Sequence, residues 1–194
     1  MDKKWLPLTV VLGVAGAAVV TAALWPDDEK KPALPQALCQ GALSRQTAEL
    51  IDDGKGGEVS AEEWVSPGKG DTAVFKGCAV MRANPGSDYR RELFKLVVAD
   101  ERHAPGPRKD SVALGPGFKG WALPEEAKAW LPADCAARTG STAPYLTVTF
   151  IAPSKKGEEQ QKDSAERDTA IRNSAAIVRE AAANVARLVG CGAT

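Results

Sequence analysis

The chain has 194 residues, with 25 lysines and arginines against 25 aspartates and glutamates, so its formal net charge at pH 7 is zero. Charges of both signs are interspersed along the sequence, and without a basic excess there is little attraction for phosphate groups. The composition therefore argues against nucleic acid as a partner. The part of the chain that follows the apolar N-terminal segment and the linker after it has about 160 residues, which is the size of one domain with a hydrophobic core.

The N-terminal segment from Trp5 to Trp25 contains 21 residues and no charge. As a helix it would be about 31 Å long, close to the ~30 Å hydrocarbon core of a bilayer. A tryptophan stands at each end, where its ring is favoured at the level of the lipid headgroups. Lys3 and Lys4 precede the segment, which favours a cytoplasmic N-terminus. We therefore predict a cytoplasmic tail at residues 1–4 and a single transmembrane helix at residues 5–25.

The competing interpretation is a cleaved signal peptide, with Thr21 and Ala23 as the small residues of the cleavage site. The apolar run is longer than the roughly 7–15 residues of a signal core, and Pro26 follows it closely, so a retained anchor is favoured. Under both interpretations the rest of the chain is exported. Residues 26–37 are rich in proline and charge and are predicted to be an extracytoplasmic linker, followed by an extracytoplasmic domain at residues 38–194.

Four cysteines, Cys39, Cys78, Cys135 and Cys191, all follow the apolar segment and show no C-x-x-C spacing. An even number of cysteines in an exported domain predicts two disulfides. Three pairings are allowed, and the sequence alone does not choose among them. We favour Cys39 with Cys78 and Cys135 with Cys191, because each pair joins segments that are closer in sequence and the second would fix the end of the last helix. A zinc site is not predicted, because the chain has one histidine and the spacing of its cysteines does not fit such a site.

The first predicted element of the domain is a short helix from Ala42 to Asp52, with Ser44 as its N-cap and a glycine-rich stretch as its stop. Three strands are predicted further along the chain, at Ala73–Arg82, Arg90–Ala99 and Tyr145–Ala152. The third alternates apolar residues with threonines, which is typical of an antiparallel sheet with one solvated face. The turn-forming residues 84–88 join the first two strands and predict a hairpin.

Between Ser111 and Leu131 the sequence predicts a short strand, a Gly-Pro-Gly turn, and about two turns of helix from Pro124 to Trp130, since proline is favoured at the start of a helix. The strongest prediction is a C-terminal helix of about seven turns that begins near Asp163 and ends at Gly190. Its apolar residues recur at alternating steps of four and three. Together these elements predict an α+β fold, an antiparallel sheet covered on one face by helices including the long C-terminal one, preceded by one transmembrane helix.

Three strings resemble functional motifs but lack the context that the chemistry needs. Residues 52–63 resemble a calcium-binding EF-hand loop, but glycines fill its third and fifth positions, so we interpret the string as a glycine-rich loop. Gly115, Gly117 and Gly120 spell the dinucleotide-binding pattern without the strand and helix that it requires, and are interpreted as a turn. His103 has no accompanying nucleophile motif and is expected to be a solvated loop residue.

The run from Gly41 to Ile51 (GALSRQTAELI), preceded by Cys39 and followed by Cys78 in a strand, resembles the opening of small actinobacterial (Streptomyces-like) exported domains of unknown function. Many of these are lipoproteins, whereas this chain lacks a lipidation cysteine directly after its apolar segment. The resemblance implies an exported, membrane-anchored protein. It implies no activity, cofactor or site residue.

Our functional hypothesis is a non-catalytic binding or interaction module of the cell envelope, anchored in the membrane through residues 5–25, with an envelope protein or a small ligand as its partner. The alternatives are a structural subunit of a membrane complex and an enzyme secreted after signal cleavage. No catalytic, cofactor-binding or metal-binding residue is predicted. If the domain is a binding module, we expect a concave apolar pocket or an exposed aromatic patch that includes some of Trp64, Trp121 and Trp130.

Overall fold

The computed structural model describes residues 34–65, 75–104, 106–153 and 163–192. The predicted cytoplasmic tail, transmembrane helix and most of the linker lie outside these residues. Within the described ranges no helix combines the length and the apolar character that a membrane crossing requires. The described residues all belong to one compact unit that runs from Pro32 to Thr194.

A seven-stranded antiparallel sheet forms the centre of the described domain. Its strands are β3 (Val59–Val65), β4 (Phe75–Ala83), β5 (Arg90–Glu101), β6 (Val112–Ala113), β7 (Lys119–Ala122), β8 (Glu126–Trp130) and β9 (Tyr145–Ile151). Their order across the sheet is β3-β4-β5-β9-β8-β7-β6. Two further strands, β1 (Ala37–Leu38) and β2 (Leu43–Ser44), pair with each other and with no other described strand. The helices are α1 (Arg45–Ala48), α2 (Ala133–Arg138) and α3 (Ser164–Val189), and 3₁₀ turns occupy Cys39–Gly41 and Glu49–Ile51.

The long helix α3 begins and ends as its sequence predicts. The Asp163 carboxylate accepts the Glu166 backbone N–H at 2.8 Å, and Gly190 adopts a left-handed conformation with φ of 74° that ends the helix. The buried face of α3 includes Ile171, Ile177, Val178, Ala181 and Ala182.

The core lies between α3 and one face of the sheet. Its largest sheet residues include Phe94 on β5 and Leu146, Val148 and Phe150 on β9, all buried. The α+β class, the antiparallel sheet and the long C-terminal helix are therefore confirmed. The β4–β5 hairpin is also confirmed, with its turn between Ala83 and Arg90.

The predicted helix from Pro124 to Trp130 is wrong, because Glu126–Trp130 is strand β8. Residues with high helix propensity form a strand here because β8 lies between β7 and β9 and shares hydrogen bonds with both. Ala127 and Ala129 are fully buried on the core face, while Lys128 and Trp130 lie on the other face. Because alanine favours helices, a strand that has alanine at every second position is easily mistaken for a helical segment.

Several other elements differ from their predictions. The first helix is shorter than Ala42–Asp52, since α1 ends at Ala48 and a 3₁₀ turn follows, although Ser44 caps it by accepting the Thr47 N–H. The glycine-rich loop predicted over residues 52–63 ends earlier, and its last residues belong to β3. As an edge strand β3 pairs only with β4 in the described chain, and after Val59 all of its side chains are at least partly exposed, so it lacks the alternation that predicts a half-buried strand. Strand β7 and helix α2 were not predicted.

The four cysteines form two disulfides, Cys39–Cys78 and Cys135–Cys191, which is the pairing favoured from the sequence. The first disulfide joins the 3₁₀ turn at Cys39–Gly41 to β4. The second joins α2 to the residue that follows the end of α3. It therefore fixes the C-terminal end of α3 against the end of the sheet.

Candidate functional site

An open cavity of about 880 Å³ lies at the end of the sheet where β7 begins, β8 ends and β9 begins. We call it the Trp130 cavity. Its walls come from four regions, which are Ala104, the β7 end (Gly117, Phe118, Lys119), the β8–α2–β9 region (Trp130, Leu131, Pro132, Ala133, Pro144, Tyr145) and the α3 end (Ala182, Ala183, Ala186, Arg187, Gly190, Cys191, Gly192).

Strand register brings the sheet side of the cavity together. Lys119 on β7 stands opposite Trp130 on β8, and both side chains start from the sheet face that α3 does not cover. The cavity therefore reaches around the end of the sheet to the end of α3. The Leu131 N–H donates to the Leu146 carbonyl at 2.9 Å, which continues the pairing beyond the end of β8. The chain then turns into α2, whose Cys135 is fully buried.

The end of α3 forms the opposite wall. Ala182 and Ala186 are four residues apart and therefore lie on the same side of the helix. Because alanine side chains are short, space remains between this part of α3 and the ends of the strands. The Cys135–Cys191 disulfide and the turn at Gly190 hold the two walls in place.

The surface of the cavity is mainly apolar and carries two cationic side chains, Lys119 and Arg187. Within the described part of the chain no aspartate or glutamate lines it. Asp134 follows wall residue Ala133 in sequence, but its carboxylate pairs with Arg138 Nε at 3.4 Å and accepts the Gly192 N–H at 3.4 Å. The wall is therefore positively charged.

Neither cation has a carboxylate partner among the described residues. Arg187 Nη2 donates to the Asn184 side-chain oxygen at 2.9 Å, and the rest of its guanidinium group has no other partner in the described chain. Both residues are exposed to solvent. As far as the described residues go, their charges are thus unpaired and face solvent.

A separate ionic group lies on the face of the sheet that α3 does not cover. Lys128 Nζ pairs with Glu101 Oε1 at 2.7 Å, and the Thr147 hydroxyl lies 3.2 Å from the same carboxylate oxygen. Next to it, the Arg108 guanidinium lies 5.7 Å from the ring centre of Trp121 and pairs with Glu126. These charges neutralise one another, so this surface offers fewer free groups for a ligand than the Trp130 cavity.

The three tryptophans that the sequence singles out do not form one patch. Trp130 lines the cavity, Trp121 is only 3% exposed beneath Arg108, and Trp64 lies on β3, five strands away from β7 in the sheet order. The ring of Trp64 packs directly on Gly77 of β4. Trp130 and Trp64 therefore line two different pockets, whereas the described residues form no aromatic patch made of all three.

The other singled-out residues lie away from the cavity. Asp52 and Asp53, from the string that resembles an EF-hand loop, pair with Arg82, and Asp53 also pairs with Arg91. His103 is exposed. No group of three or more histidine, cysteine, aspartate or glutamate residues that could hold a metal ion is found within the described ranges.

A second groove of about 250 Å³ lies between the C-terminal half of α3 and the β3–β4 side of the core. Val98, Val148, Val185 and Val189 are among its apolar walls. Leu188, which also lines it, is 63% exposed. The groove is smaller than the Trp130 cavity.

Most of the cavity's residues were not identified from the sequence. Lys119 belongs to the unpredicted strand β7, and Trp130 was expected on a helix. One signal was present in the sequence, since the favoured Cys135–Cys191 pairing already joins the region after Trp130 to the end of the last helix. That pairing does not indicate which charged residues line the space between them.

Comparison of the chain with protein-family models, with curated proteins and with solved structures finds no match. The resemblance to small actinobacterial exported domains stays a prediction. The geometry of the cavity is therefore the basis for inferring the function of the domain.

Proposed function

We propose that this protein is a non-catalytic binding module of the cell envelope and that the Trp130 cavity is its ligand site. The single observation that carries the proposal is an open, mainly apolar cavity of about 880 Å³. Ligand pockets typically measure about 300–1,000 Å³ and combine apolar walls with a few polar groups. The cavity fits that description in size and in composition.

The wall chemistry supports binding over catalysis. General acid–base and nucleophilic chemistry most often uses a histidine, a carboxylate, a serine or a free thiol next to the substrate, and less often a lysine or a tyrosine. Among the described wall residues the polar side chains belong to Lys119, Trp130, Tyr145 and Arg187, and Cys191 is held in a disulfide. No histidine or carboxylate of the described wall stands beside Lys119 or Tyr145 to activate it. These groups can orient and neutralise a bound molecule.

The envelope location in the proposal is supported by two features of the chain. The uncharged segment from Trp5 to Trp25 has the length of a membrane anchor, and residues 26–37 then serve as the linker. Two disulfides are typical of an oxidising compartment outside the cytoplasm. A ligand would therefore reach the cavity from the extracytoplasmic side.

The test uses the full-length protein in lipid nanodiscs and the uncharged fluorophore N-phenyl-1-naphthylamine, whose emission rises in apolar surroundings. Empty nanodiscs give the signal that comes from lipid alone. Ala183 is an exposed wall residue, so Ala183→Trp should fill the cavity without disturbing the core. Ala165→Trp, at an exposed position near the start of the same helix, is the matched control.

We expect the wild type and Ala165→Trp to bind the fluorophore above the lipid signal and Ala183→Trp to lose this binding. If the wild type binds no more than Ala183→Trp does, the cavity is not a ligand site and the proposal is wrong. The alternatives of a structural subunit and of a secreted enzyme would then have to be tested by capture of a membrane complex and by substrate screening.

A further inference from the structure

The chemical character of the ligand follows from how charge is distributed around the cavity. Apolar wall groups such as Phe118, Trp130 and Leu131 suit a hydrocarbon or aromatic body. The charged side chains on the same described wall, Lys119 and Arg187, are both cationic. A neutral ligand would leave these charges unused, and a cationic ligand would be repelled by them.

We propose that the Trp130 cavity binds an amphipathic anion, with the apolar body against the aromatic wall and a carboxylate or phosphate head held by Lys119 and Arg187. This inference rests on the proposed function of the cavity as a ligand site. The two cations contribute differently, because a guanidinium group can hold either head through two parallel hydrogen bonds while an ammonium group acts as a point charge.

The end of α3 limits how strongly an anion is preferred. Its C-terminal carbonyl groups carry a partial negative charge of about half a unit, which opposes an anion in the cavity. Two of these carbonyls are already satisfied, since the Gly190 N–H donates to Arg187 at 3.1 Å and the Cys191 N–H donates to Ala186 at 2.9 Å. Arg187 itself stands in the last turn, where its charge offsets the helix dipole.

Solvent exposure sets the scale of the effect. Lys119 and Arg187 are both exposed, and ion pairs of exposed groups are weak and screened by salt. We therefore expect the anionic head to improve affinity about tenfold over a neutral head of the same chain length at low ionic strength. The preference should shrink as salt is raised.

The experiment displaces N-phenyl-1-naphthylamine from the full-length protein in nanodiscs with four ligands that share an eight-carbon chain. These are octanoate, octyl phosphate, octanol and octylammonium, with empty nanodiscs correcting for partition into lipid. Octanoate and octyl phosphate should displace the dye about tenfold more effectively than octanol, and octylammonium least effectively. The stronger of the two anions identifies whether a carboxylate or a phosphate head fits better.

Variants tie the preference to the two side chains. The double variant Lys119→Gln with Arg187→Gln should bring octanoate and octanol to nearly equal potency while leaving octanol itself unchanged. Arg172→Gln, which removes an exposed charge from α3 outside the cavity wall, should leave the preference intact. Lys119→Arg with Arg187→Lys should retain it, which separates loss of charge from any change in folding.

The outcomes separate this inference from the proposed function. If the dye and octanol bind in the cavity but anions have no advantage, the inference about ligand charge is wrong and the binding function stands. If neither the dye nor any of the four ligands binds above the Ala183→Trp variant, both are wrong.

Discussion

Glu180, in the middle of α3, accepts the hydroxyl hydrogen of Thr47 on α1 through one carboxylate oxygen, although the two residues are 133 positions apart in sequence. Its other carboxylate oxygen accepts the Ser44 backbone N–H at 2.7 Å. A single side chain of the long helix therefore holds the start of the first helix in place.

This contact makes the stability of the domain depend on pH. Burial alone raises the pKa of Glu180, but hydrogen bonds from Thr47 and from the backbone and side chain of Ser44 outweigh it, so the pKa is held below its ordinary value. A carboxyl group whose pKa is lowered on folding stabilises the protein above its unfolded pKa, which is about 4.3 for glutamate. That stabilisation is lost as the pH falls through the lower folded value.

We expect Glu180→Gln to reduce the free energy of unfolding by about 1–2 kcal/mol at pH 7, since it removes hydrogen bonds to a charged acceptor. The difference from the wild type should shrink as the pH falls below the unfolded pKa of about 4.3, where the carboxylate becomes protonated. Urea unfolding at a series of pH values measures it. Glu58→Gln, at an exposed position, is the control, and equal effects of the two variants would show that the Glu180 contacts do not stabilise the domain.

The parts of the fold that the sequence predicts well are those in which one signal dominates. In α3 the N-cap Asp163, the apolar repeat and the terminal Gly190 all agree, and in β9 threonines alternate with large apolar residues. Strand β8 could not be predicted in the same way, because glutamate, alanine and lysine favour a helix and only pairing with two neighbouring strands makes this segment extended.

The cavity is less predictable than the fold for a related reason. Lys119, Trp130 and Arg187 come from distant parts of the sequence, and they meet through strand register and through a disulfide that closes a long loop. No local pattern records that neighbourhood. Arg82 likewise has no neighbouring residues in the sequence that mark it as a buried arginine.

Arg82 is 2% exposed, while the carboxylate partners Asp52 and Asp53 are 30% and 28% exposed. We expect an asymmetric response to breaking this group. Asp52→Asn with Asp53→Asn leaves the buried guanidinium group of Arg82 without a carboxylate partner and should cost about 3–5 kcal/mol of stability. Arg82→Met leaves two carboxylates that water can hydrate and should cost less than about 2 kcal/mol.

Urea unfolding of the two variants at pH 7 checks this order. Arg90→Met serves as the control, because Arg90 and Glu62 are 54% and 55% exposed and such a pair contributes at most about 1 kcal/mol. A larger loss for Arg82→Met than for the double asparagine variant would contradict the explanation by a stranded charge.

The contact of Trp64 with Gly77 predicts a steric effect. A Cβ atom added at Gly77 would lie 2.0 Å from Cζ2 of the indole ring, so Gly77→Ala must displace the ring, and we expect a loss of about 1–3 kcal/mol. Adding Trp64→Ala should make the combined loss smaller than the sum of the two single losses, because the clash disappears. Gly106→Ala, where a Cβ meets nothing within 4 Å, is the control, and simple additivity of the Gly77 and Trp64 variants would contradict a direct clash.

The two disulfides should be alike in stability but different in function. They span 39 and 56 residues, and the loss of either loop constraint should cost about 4 kcal/mol. Only Cys135–Cys191 holds a wall of the Trp130 cavity, so Cys135→Ala with Cys191→Ala should also weaken binding of N-phenyl-1-naphthylamine several-fold. Cys39→Ala with Cys78→Ala should retain that binding under conditions in which both variants are folded. Parallel unfolding and dye titrations compare the two, and an equal loss of binding in both variants would mean that general stability, and not the local attachment of α3 to α2, maintains the cavity.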